Sequence, residues 1–153
     1  MLTAPVMQNY EAKKPSYFAT PPTQLITALH TSLTQILSKS LSDRFAAHRD
    51  ASQRIKKTVT ALGLKQLAKK PENQANGMTA MYLPNEVKAP DILPKLLNKG
   101  VIFAAGLHKE IAPKYIRFGH MGVSVTDPTR DDIERALALL KEGLVELGYQ
   151  VPE

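Results

Sequence analysis

The 153-residue chain has no cysteine and no tryptophan. Without thiols there is no disulfide framework, no thiolate zinc or iron–sulfur site and no cysteine nucleophile. This fits an intracellular protein, with the compartment left open. Long apolar runs are missing too: nothing approaches the roughly 20 residues a membrane span needs, and residues 1–20 lack the apolar stretch of a signal peptide. A soluble chain with no membrane partner is expected. The sequence has no G-x-G-x-x-G, no Walker loop and no G-x-S-x-G elbow. Its four histidines, His30, His48, His108 and His120, lack the spacing of a helical metal motif, so no metal site is expected. No serine–histidine–aspartate set stands out, and no lysine sits in an evident apolar pocket that would activate it.

What is present is basic charge. The net charge is +6, and 43% of residues are hydrophobic, enough for a sizeable core in one domain. The excess is local: between residues 43 and 70, Arg44, Arg49, Arg54, Lys56, Lys57, Lys65, Lys69 and Lys70 face only Asp43 and Asp50. Such a run is ordinarily the solvated face of a helix. With Phe45 as its one aromatic it offers little for base stacking, so no nucleic-acid partner is expected.

Residues 1–22 read as irregular, because Pro5, Pro15, Pro21 and Pro22 interrupt any helix or central strand. From Thr23, apolar residues at three- and four-residue steps (Leu25, Ile26, Leu29, Leu33, Ile36, Leu37) predict an amphipathic helix. Ser42 reads as the cap of a second helix with Phe45, Ala51, Ile55, Val59 and Leu62 inward and Gly63 as its stop. Beyond Pro71 the pattern changes. Strands are predicted at 78–83, 101–104 and 114–118, with a short helix at 91–98 whose Pro94 must lie in the first turn. A last helix is capped by Thr129, lined inside by Ile133, Leu137, Leu140, Leu144 and Leu147, and ended by Gly148. The order α-α-β-α-β-β-α predicts an α+β fold: a small, mainly antiparallel sheet packed with helices. Segments 1–22, 23–70 and 71–153 form the expected organisation: a loop segment, a helical linker region and a small α/β domain.

Two segments carry candidate chemistry. In S-Y-F-A-T-P-P (from Ser16), Tyr17 and Thr20 place two hydroxyls just ahead of a helix N-terminus. They could grip a phosphate, or Thr20 could cap the helix while Tyr17 packs at a rim. In K-Y-I-R-F-G-H-M-G (from Lys114), Arg117 interrupts an apolar strand pattern. It is either a plain sheet-face arginine or a guanidinium fork for a carboxylate or phosphate, with Gly119 and Gly122 letting the backbone bend near a ligand.

Three longer runs carry a family likeness. N-Y-E-A-x-K-x-x-Y-F-A-T-P-P-x-Q-L-I-x-A-L (from Asn9), N-G-M-T-A-x-Y (from Asn76) and G-L-H-K-E-I-A-P-K-Y-I-R-F-G-H-M-G-V (from Gly106) occur in this order. Together they resemble the C-terminal part of class V aminotransferases, in the alanine–glyoxylate / serine–pyruvate group, over residues 4–147. The likeness implies the small C-terminal domain of the fold type I transferase fold, with pyridoxal 5'-phosphate as cofactor of the complete enzyme. It also implies amino-acid and 2-oxo-acid substrates, and a homodimer or pairing with a full-length subunit. By the same likeness, Tyr17 and Thr20 bind the cofactor phosphate of the neighbouring subunit, and Arg117 binds the substrate carboxylate.

The likeness assigns no catalytic residue here. The family's Schiff-base lysine belongs upstream of the matched runs, and no lysine present matches its motif. The expectation is therefore a C-terminal fragment of an enzyme that transfers an amino group from alanine or serine to glyoxylate, inactive alone. The alternative is a non-catalytic paralogue that binds a full-length subunit.

Overall fold

The computed structural model describes residues 3–14 and 20–152. They fall into two compact units, 1–40 and 41–153. The first holds α1 (Thr3–Glu11) and α2 (Thr23–Leu37). Helix α1 corrects the expectation of an irregular start. Pro5 is its third residue, where the first turn has no use for an N–H. Helix α2 begins at Thr23 as predicted, but none of its residues is buried.

The second unit holds α3 (Leu41–Ala61), β1 (Met78–Tyr82), α4 (Ala89–Asn98), β2 (Ala104–Ala105), β3 (Tyr115–Gly119), α5 (Val123–Thr126) and α6 (Asp132–Glu146). Its three strands are antiparallel in the order β1-β3-β2, with β3 central. The α+β fold, with a small antiparallel sheet and packed helices, is as the patterning predicted. Tyr82 pairs with Tyr115, Ala80 with Arg117 and Met78 with Gly119, while Ala104 pairs with Arg117 from the other side. Paired residues share a face, so Thr79, Met81, Ile116 and Phe118 point together into the core and all four are buried. Helices α3 and α4 pack against the sheet and α6 packs against both helices. Ile55 and Val59 of α3, Ile92 and Leu96 of α4, and Leu140 and Leu144 of α6 are sealed in one cluster. Phe103 stacks on Phe118 with ring centres 4.8 Å apart.

Several local expectations are corrected. Phe45 was expected inward but is 57% exposed; the inward face of α3 begins with Ala51. Pro94 lies in the second turn of α4, not the first, because the helix starts at Ala89 and Pro90 takes the first-turn place. Having no N–H, Pro94 leaves the Pro90 carbonyl without its helical donor. Thr129 does not cap α6. Its N–H and hydroxyl both donate to Asp127 Oδ1, at 3.0 and 2.7 Å, and the helix starts only after Asp131. The strand expected at 101–104 is reduced to two residues, Ala104–Ala105. Helix α5 was not foreseen, because its sequence, VSVT, is rich in β-branched residues. Gly63 and Gly148 end their helices with φ of +75° and +87°, as predicted.

Candidate functional site

Arg117 is the middle residue of the central strand, on the face opposite the core. Its cross-strand neighbours there are Ala80 and Ala104, and Gly119 follows two residues along the same face. Across the strands and toward Gly119 the side chains on this floor are small or absent, which leaves room beside the guanidinium. Its Nε donates to the Ala105 carbonyl at 2.8 Å. That bond fixes the plane of the group and leaves the end-on pair, Nη1 and Nη2. Among the described residues no carboxylate forms an ion pair with it. A planar, always-charged fork held by one nitrogen is suited to taking an external carboxylate in two parallel bonds.

The floor is walled at one end by Tyr115. This buried ring meets Tyr82 edge-on, with centres 6.4 Å apart. Its hydroxyl oxygen accepts the N–H groups of Leu107 at 2.7 Å and His108 at 3.2 Å. These bonds, His108 first and then Leu107, hold the phenol below its ordinary pKa against the opposing effect of burial, with a smaller contribution from the positive charge of Arg117. Gly106 is obligatory in this loop. A Cβ there would lie 2.5 Å from the Tyr115 ring and 2.6 Å from the Ala112 carbonyl.

At the other end of the strand, His120 is fully buried. Its Nε2 is 2.8 Å from the Thr79 hydroxyl, its ring lies edge-on to Phe118, and its Nδ1 has no partner. Burial lowers its pKa, against a backbone hydrogen bond that raises it and with a smaller lowering from the Lys56 charge, so the neutral ring is favoured.

Thr20 belongs to the first unit, exposed and three residues ahead of α2. Pro22 occupies the cap position of α2, and no side chain caps it. The first-turn N–H groups of such a helix suit an anion. Tyr17 lies outside the described residues.

Tyr115, His120 and His48 went unassigned in the sequence. For His48 a signal existed: Arg44, His48, Ser52 and Lys56 recur every fourth residue along α3. Among the described residues no group of histidines and carboxylates gathers as a metal site, and no helix is long and apolar enough to cross a membrane.

No family model matches the chain. Alanine–glyoxylate aminotransferase 1 of Saccharomyces cerevisiae is 42% identical to it over 142 residues, 92% of this chain and 36% of that protein. This chain resembles the C-terminal part of a class V aminotransferase. Solved aminotransferases share its fold. Pyridoxamine–pyruvate aminotransferase from Mesorhizobium loti matches 90% of this chain and 34% of its own length at a TM-score of 0.79 and 26% identity. Alanine–glyoxylate aminotransferase from Nostoc sp. matches 92% of this chain and 36% of its own, at a TM-score of 0.77 and 22% identity. The chain thus spans about a third of the length of the aminotransferases it matches.

Proposed function

We propose that this chain is the C-terminal part of an alanine–glyoxylate-type aminotransferase and contributes its substrate-carboxylate contact. The observation that carries this reading is Arg117: central in the sheet, on the face away from the core, anchored through Nε to Ala105, and paired with no described carboxylate. The likeness to the yeast enzyme supports it. Alanine, serine and glyoxylate differ in what must be exchanged but share a carboxylate, so one arginine serves donor and acceptor alike. Ala80, Ala104 and Gly119 let that carboxylate approach the guanidinium.

Pyridoxal phosphate, when bound in the complete enzyme, supplies the electron sink for amino transfer. Thr20 and Tyr17 are suited to its phosphate: hydroxyl donors ahead of a helix start that no side chain caps. In this reading they serve the neighbouring subunit of a homodimer. The lysine that holds the cofactor sits on the part of the enzyme this chain does not span, so the chain by itself should not transaminate.

The test is Arg117→Ala in a full-length enzyme carrying this sequence. Loss of a bidentate charged contact should raise KM for both the amino acid and glyoxylate about 10- to 100-fold. Unchanged KM for both would overturn the assignment. A borohydride-trapped lysine adduct of pyridoxal phosphate at stoichiometric yield on the isolated chain would instead overturn the reading that the cofactor lysine lies outside this chain.

A further inference from the structure

Arg44, His48, Ser52 and Lys56 recur every fourth residue along α3 and form a polar stripe. Two of its members reach across to backbone on either side of the sheet. Ser52 Oγ donates to the Ala75 carbonyl at 3.3 Å, just before β1. The Gly122 N–H donates to His48 Nε2 at 3.1 Å, just after β3.

The second bond dictates the state of the imidazole. Because Nε2 accepts, the ring proton of neutral His48 is on Nδ1, where it donates to the Arg44 carbonyl at 2.7 Å. The other tautomer would set N–H against N–H at Gly122 and a lone pair against the Arg44 oxygen. One tautomer satisfies both contacts and the other satisfies neither.

What His48 holds is the turn that leaves β3. Gly122 has a φ of +69°, accessible to glycine, and begins α5. The same turn is tied to β1 by the His120 N–H on the Gly77 carbonyl at 2.8 Å and by the His120 ring on Thr79. His48 is its link to α3. Arg117 lies two residues before this turn begins, on the strand whose end the turn fixes.

We propose that His48 is a positioning residue for Arg117. Neutral and protonated on Nδ1, it clips the 119–122 turn to α3, and through the turn it keeps β3 in the place that seats the Arg117 Nε–H on Ala105. This role rests on reading Arg117 as the carboxylate ligand, but its test does not need that ligand.

The test uses nitrogen-15-labelled full chain. The imidazole nitrogens of His48 should show the Nδ1–H tautomer. In His48→Ala, hydrogen exchange should speed about three- to tenfold at the Gly122 amide and at the Arg117 Nε–H, the worth of one hydrogen bond. His48→Gln, whose side-chain oxygen can accept where Nε2 did, should restore most of both protections. An Nε2–H tautomer overturns the proposal, as does exchange unchanged at both protons, or faster exchange at Gly122 alone, which would make the clip local. If His48→Ala does not fold, the wild-type tautomer and His48→Gln decide: retained protection supports the clip, and lost protection at both protons overturns it. Should Arg117→Ala leave KM unchanged in the full-length enzyme, the functional reading fails while these two signals still judge the clip.

Discussion

Helices α2 and α6 are each 15 residues long and carry an apolar stripe at helical spacing, yet they end in opposite surroundings. Helix α6 seals Ile133, Ala136, Leu140, Gly143 and Leu144 against the second unit. Helix α2 leaves Leu25 71% and Leu29 58% exposed and buries nothing. The periodicity is the same in both because it follows from 3.6 residues per turn. What differs is what each meets within its own unit: α6 lies against α3 and α4, and among the described residues none of α2 is buried. A stripe announces a helix with something to bury and does not name what buries it.

Four measurements bear on that contrast. The largest effect belongs to Leu140→Ala, which opens a hole where the side chain is fully enclosed and should cost about 2–5 kcal/mol in denaturant unfolding. A loss below 1 kcal/mol would place α6 outside the core. Next comes acid. His120 has a pKa lowered by burial, whereas the free side chain titrates near 6.5, so the unfolded chain takes up the proton first. Stability from the neutral ring is complete above that free value and is lost as pH falls through the lowered one. The second unit should weaken over this range, and His120→Gln should flatten the slope.

Gly143→Ala sharpens the contrast within α6. The added methyl gains helix propensity but lies 3.3 Å from Leu96 Cδ2 and 3.5 Å from Ile92 Cγ1. The two effects should nearly cancel, leaving a change within about 1 kcal/mol. The smallest effect is Leu29→Ala on α2, expected within about 0.5 kcal/mol in this chain. A loss above 2 kcal/mol there would mean that α2 has a buried partner after all.

The sequence was most legible where a residue's own backbone decides the structure. Gly63 and Gly148 end helices through their φ angles, and the apolar period located α2, α3 and α6. It was least legible where two local options compete. Thr129 could cap a helix or bond Asp127, and the second, with two bonds to one oxygen, prevailed. Pro94 fits a first turn by rule, but Pro90 fits it equally and comes earlier. At the candidate site Arg117 stood out because a charge breaks an apolar strand. His48 did not, because what it grips is the backbone of a glycine 74 residues away. A bond to backbone leaves no complementary side chain in the sequence to betray it.

The edges of the sheet have a consequence for how this chain would fail. The outer edge of β1 is already engaged: Tyr82 N–H bonds the Lys65 carbonyl and Leu67 N–H bonds the Ala80 carbonyl. At the other edge, β2 offers two residues, fewer than an added strand needs for a stable ladder. Neither margin is a template for cross-β growth. Crowded or heated short of unfolding, the protein should clump through the bare leucines of α2, giving precipitates that keep a helical circular-dichroism spectrum and leave amyloid dyes dark.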